Sequence, residues 1–114
     1  MAGKTFISGT GLTTSLTSAK ASILGAANQK SNVEISWANA TGTLDGTVDI
    51  KYSTDPDSTP ANNAAEQYTI TAAAGTRQFF IEPYHLRFLQ AVYTKNNISS
   101  IDLKIISSDN LGGL

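Results

Sequence analysis

The sequence predicts an all-β fold, an antiparallel β-sandwich of about seven or eight strands, and three observations carry that prediction. Several short segments alternate apolar and polar residues with a period of two, among them "NVEISWAN", "TVDIKYS" and "IDLKIIS", the pattern of strands with one buried face. Gly, Asn and Pro turns separate them, and no segment carries an apolar repeat of helical period over a useful length. The chain has 114 residues and no cysteine. That length suits one domain burying about two-thirds of its unfolded surface, and it must do so without disulfides or thiolate-bound metal. Jelly-roll and immunoglobulin-like topologies share this pattern, and the reading leans towards the jelly roll.

Residues 1–31 are rich in Gly, Ala, Ser and Thr, with isolated Phe6, Ile7, Leu12, Leu16, Ile23 and Leu24. So little apolar bulk cannot organise a core alone, and the segment reads as an extended N-terminal arm contributing one or two strands near Leu12 to Thr17 and Ala21 to Leu24. Residues 32–107 form the sandwich core. There Val33, Ile35 and Trp37 point one way against Glu34 and Ser36, and Val48, Ile50 and Tyr52 against Asp49 and Lys51. "ATGTLDG" between them has the turn chemistry that joins neighbouring antiparallel strands, so the two segments are expected to pair as a hairpin.

"STDPDSTPANNAAE" carries two of the three prolines and is expected to be an exposed loop. "QYTITA" follows with Tyr68 and Ile70 on one face, then "QFFIEP", where Pro83 should end the strand because it has no N–H for a ladder. "PYHLRF" reads as a short connection. In "RFLQAVYT" both faces carry apolar groups, which suits a central strand covered on both sides or bordered by the arm. The last strand points Ile101, Leu103 and Ile105 inward and Asp102 and Lys104 outward, and residues 108–114, which have no pattern, are expected to be a flexible C-terminal tail or a docking peptide.

Charged residues make up 15% of the chain and the net charge is -1, against roughly 25% charged in an ordinary domain. Lys and Arg are scattered singly, which argues against a phosphate-binding stripe and so against nucleic acid as a partner. No apolar run approaches the ~20 residues that span a bilayer, and "MAGKTFISGTG" lacks the apolar middle of a secretory signal. The expectation is a soluble chain, without a membrane partner and not exported by that route.

No catalytic residue is expected. His85 is the lone histidine, and one imidazole without a thiol assembles neither a serine triad nor a histidine-rich zinc site. Asp55 and Asp57 in "STDPDST", with Glu66 or Asp45 folded nearby, offer oxygen ligands of the kind calcium prefers, but the rest of a calcium loop is missing. They read as a solvated turn, so neither metal nor cofactor is expected. Trp37, Tyr52, Tyr68 and Tyr93 share strand parity with aliphatic neighbours and read as core, whereas Tyr84 reads as exposed. Asn39 with Thr41 and Asn97 with Ser99 form two N-x-S/T sequons in expected turns, relevant only in a eukaryotic secretory pathway.

A resemblance extends over residues 33 to 107. Trp37 on its strand, the T-G-T turn of Thr41 to Thr43, the S-x-D of Ser53 to Asp55, and the aromatic-x-R-x-x-Y-T pattern around Arg87 to Thr94 resemble the plan of small β proteins among the virion genes of tailed bacteriophages. The resemblance implies a capsid decoration, cement or head-fibre type protein located on the capsid surface of a virion. Its implied partner is the major capsid protein or another virion protein. It also implies a homo-oligomer, with a trimer favoured because several weak contacts then engage together. Phe6, Ile7, Leu12, Leu16 and Tyr84 are the expected partner-binding residues. The alternative is a carbohydrate- or receptor-binding β-sandwich module of a virion or cell surface, using Tyr84, Trp37 and the "STDPDSTPANN" loop.

Overall fold

The computed structural model describes residues 4–19, 21–22, 31–53, 64–81 and 88–108. Among the described residues the chain forms nine strands: β1 (Lys4–Leu12), β2 (Leu16–Thr17), β3 (Ala21–Ser22), β4 (Ser31–Gly42), β5 (Thr47–Ser53), β6 (Ala64–Thr69), β7 (Gly75–Ile81), β8 (Phe88–Thr94) and β9 (Ile98–Ser108). All pairings are antiparallel. One sheet has the order β1-β9-β4-β7, and the other β2-β8-β5-β6 with β3 also paired to β8.

β2 and β3 behave as one interrupted edge strand. Leu16 and Thr17 lie opposite Tyr93 and Val92, and Ala21 and Ser22 lie opposite Leu89 and Phe88. Buried Ser18 holds the interruption: its N–H donates to the Ala91 carbonyl at 2.9 Å, and its Oγ accepts the Ala91 N–H at 2.9 Å. With β2 and β3 counted as one, eight strands form nested antiparallel pairs, β1 with β9, β2/β3 with β8, β4 with β7, and β5 with β6. Each sheet takes alternate members of that nest, which is a long hairpin rolled into two sheets. This is jelly-roll topology, so the fold expected from periodicity is present and its connectivity is fixed.

The core lies between the inner faces. Val33, Ile35 and Trp37 of β4, Ile101, Leu103 and Ile105 of β9, and Phe79 of β7 face Val48 and Ile50 of β5 and Leu89, Ala91 and Tyr93 of β8; all are buried. Ile70 and Ile98, at the corners where the chain changes sheet, are also sealed in. β4, β5, β8 and β9 each supply every second residue over this stretch, as the period of two requires. β8 is bordered by β2 and β3 on one side and β5 on the other, the central position its two apolar faces suggested.

Two expectations are corrected. β4 and β5 do not form a hairpin: β4 pairs with β7 and β9, β5 pairs with β6 and β8, and Thr43 to Gly46 carries the chain from one sheet to the other. Alternation specifies which face of a strand is buried, not which neighbour it takes, and a turn rich in Gly and Asp serves a corner as well as a hairpin. Residues 4–12, expected within an arm, instead form a nine-residue strand paired along β9. Its Ile7 is only 4% exposed and belongs to this chain's own core, so it is not available to a partner.

Candidate functional site

The outward face of the first sheet carries a groove of about 520 Å³ across β1, β9 and β4. Register explains its residues: Ser8 and Ser36 both lie opposite Lys104, and Ala38 lies opposite Asp102. The floor is low because Ser8, Gly9, Ser36 and Ala38 are small. Thr10, Asp102 and Lys104 complete the polar lining. Trp37 and Leu103 border the groove too, but their side chains are buried on the inner face.

The geometry centres on Asp102. β9 is flanked by irregular register on both sides at this level, between Gly9 and Leu12 of β1 and between Ala38 and Thr41 of β4. A bulge leaves residues out of the ladder and re-aims the chain. At the two bulges Gly11 and Asn39 have φ of 60° and 55°, left-handed backbone that glycine and asparagine tolerate best. Asp102 takes one donor from each bulge: the Gly11 backbone N–H donates to Oδ1 at 2.8 Å and the Asn39 side-chain amide donates to Oδ2 at 2.6 Å. Hydrogen bonds from Asn39, and then from the Gly11 backbone, hold its carboxyl below the usual carboxylate range, since both stabilise the ionised form.

The resulting surface sets a fixed, ionised acceptor beside Lys104, an exposed ammonium two residues along the same face, with the hydroxyls of Ser8, Thr10 and Ser36 around them. Such a lining donates and accepts hydrogen bonds at close spacing. It has no imidazole or thiol to activate its hydroxyls as nucleophiles.

Residues predicted to bind a partner are not brought together here. Phe6, Leu12 and Leu16 are partly buried and pack against the core, as Ile7 does more completely. Tyr84 lies outside the described residues, as do His85, Pro83, Asp55 and Asp57. Trp37 is 6% exposed, and its Nε1–H donates to the Ala72 carbonyl at 2.9 Å, so it offers no stacking platform. Asp45, weighed as a metal ligand, instead accepts the Asn97 backbone and side-chain N–H groups at 2.8 and 2.6 Å. Both sequon asparagines are exposed, but each directs its amide into an aspartate, Asn39 to Asp102 and Asn97 to Asp45.

Sequence reasoning did not find the groove. Its one local signal is the run of small outward residues Ser36 and Ala38 and the outward pair Asp102 and Lys104; only the pairing of β4 and β1 with β9 brings them onto one surface.

Fold and groove together define a jelly-roll domain with an open groove on the outer face of one sheet. No family model matches the sequence, and no curated protein matches it. Among solved structures, the K3 cleaved adhesin domain of Lys-gingipain from Porphyromonas gingivalis W83 is similar over 82% of this chain, with a TM-score of 0.55 and 12% identity. The K1 cleaved adhesin domain of the same protein is similar over 84%, with a TM-score of 0.56 and 17% identity. The chain spans 63% of the length of each adhesin domain. At such identities the likeness is one of fold.

Proposed function

We propose that this protein is a non-enzymatic recognition module of a cell or virion surface, and that it binds carbohydrate in the groove of β1, β9 and β4. The observation that carries this reading is an ionised, doubly held Asp102 lining the same groove as Lys104, among small hydroxyl-bearing residues. Vicinal hydroxyls of a sugar both donate and accept, so they satisfy a fixed carboxylate and an ammonium at once. A polyanion would meet Asp102 unfavourably. The fold-level likeness to adhesin domains supports a binding module, while jelly rolls as a class host many functions. Glycan-array screening followed by calorimetry tests it: Lys104→Ala or Asp102→Asn should weaken a captured glycan about tenfold or more, the loss of one charge-assisted hydrogen bond. Binding unchanged in both variants excludes this groove.

A second reading is a capsid decoration subunit, supported by the resemblance of residues 33 to 107 to phage virion proteins and by jelly rolls occurring in both capsid and lectin domains. Purified virions tested for the protein by mass spectrometry, and for fragility when it is missing, decide that reading. Carbohydrate binding by the isolated protein separates the two.

A further inference from the structure

The four outer edges of the sandwich are not equally protected. β1 meets β9 through two register shifts, β2 and β3 are two residues each, and β6 meets β5 with a shift at Ile50 and Lys51. Bulges and short strands are devices that stop a sheet edge from recruiting another chain. β7 has neither. Its seven residues run in unbroken register with β4, from Ile81 opposite Ser31 to Gly75 opposite Trp37, and among the described residues no strand pairs with its other side. Alternate backbone N–H and C=O groups along that side therefore have no ladder partner among the described residues.

Arg77 stands within this edge. Its register partner is Ile35, so it projects on the inward-facing side at the rim of the sandwich, and it is exposed. The guanidinium carbon lies 5.6 Å from the Tyr68 ring centroid and 5.4 Å from that of Phe79, and Tyr68 in turn lies 5.3 Å from Trp37. Two aromatic faces hold the guanidinium in place, so less freedom is lost when a ligand meets it. Among the described residues no carboxylate pairs with it.

We propose that the free edge of β7 is a docking edge for an extended segment of a partner protein, one that carries a carboxylate to Arg77. The backbone ladder supplies affinity for any strand, and the guanidinium fork selects an acidic one. Charge complementarity sets the occupant. β7 of a second copy brings another Arg77 and no acidic residue, so pairing of two copies would cover both guanidinium groups without a counter-charge, as would a neutral strand. This edge is separate from the groove of β1, β9 and β4, and the proposal stands whether or not that groove binds a sugar.

The test uses the full chain and a fluorescently labelled synthetic peptide of alternating Val and Thr around a central Glu, followed by anisotropy. Saturable binding is expected, weakened about tenfold when the peptide's Glu becomes Gln or the protein carries Arg77→Gln. Arg77→Glu should prefer the peptide with a central Lys, and N-methylation of alternate peptide nitrogens should abolish binding. Unchanged melting of both variants shows that packing is intact. The proposal is overturned if the Glu peptide does not bind, or if it binds wild type and Arg77→Gln equally. It is also overturned if Arg77→Gln self-associates in light scattering with peptide binding unaltered, which makes Arg77 only a guard of the edge, or if wild type forms dimers that the peptide fails to compete.

Discussion

Asp45 and Asp102 accept the same kinds of hydrogen bond in two settings. Asp45 takes the backbone N–H of Asn97 at 2.8 Å and its side-chain amide at 2.6 Å, while its own carbonyl accepts the Asn96 amide at 2.8 Å. Asp102 takes a backbone N–H from Gly11 at 2.8 Å and a side-chain amide from Asn39 at 2.6 Å. Asp45 thus ties two corners to each other, the β4–β5 crossing and the β8–β9 crossing, both of which carry the chain between sheets. A Cβ on the adjacent Gly46 would meet Ile98 Cδ1 at 2.6 Å and the Tyr93 ring at 3.3 Å, so this corner is closed tightly over the core. Asp102 links β1 and β4 across the strand between them and stands on the outer face beside a groove. One bond inventory braces a corner; the other holds a charge where a ligand can reach it. Position in the sheet makes the difference.

The most severe way to break the comparison is to delete residues 1–12, which removes Gly11 from Asp102 and Ile7 from the core together. The loss should exceed about 5 kcal/mol, a large part of an ordinary domain's stability, so the truncated chain should give no cooperative unfolding transition by circular dichroism. A folded truncation would mean that β1 is dispensable and that the groove forms without it.

Asp45→Ala comes next. It frees the Asn97 donors at a partly hydrated corner and should cost about 1–2 kcal/mol in chemical denaturation. Tyr93 supplies an independent readout. Burial, and then the Asp45 charge, push its phenol above the ordinary 10.0, and its hydroxyl is buried without a partner. A raised pKa in the folded state means that Tyr93's contribution is fully present below about pH 10 and is lost as pH rises through the folded value. In Asp45→Ala the phenol should titrate at lower pH, by ultraviolet difference spectroscopy, and the alkaline loss should shrink. An unmoved titration would show that Asp45 does not act on the ring.

Asp102→Asn should disturb stability less than Asp45→Ala, because water reaches the groove and can replace the lost acceptor. Its signature is in acid. A depressed carboxyl contributes stability above the unfolded value near 3.9 and loses it as pH falls through the folded value, so the wild-type acid denaturation curve should show a component that the variant lacks. Superimposable acid curves would remove Asp102 as a clamp. Lys104→Ala is the smallest perturbation: an exposed side chain with no packing role should change stability by less than about 0.5 kcal/mol, leaving any loss of ligand binding attributable to the groove.

Much of the fold was legible because a half-buried strand marks itself every second residue. The inward sets Val33, Ile35, Trp37 and Ile101, Leu103, Ile105 are buried as their alternation requires, and β8 proved central because both its faces are apolar. β1 was less legible: "KTFISGTGL" holds two glycines and few large side chains, and its two register shifts disrupt a strict period of two. Partnering was not legible at all. Nothing in "SWANATGTLDGTVDI" distinguishes a hairpin from a corner between sheets, because local turn chemistry satisfies both. The groove follows from partnering. Ser8, Ser36 and Lys104 are distant in sequence, and they share a surface because β1 and β4 flank β9 in one register. The sequence by itself therefore determined which side chains are inside, a local consequence of hydrophobic alternation. Only the tertiary structure decided which outward residues are neighbours, because strand order depends on long-range backbone pairing that leaves no mark on any single segment.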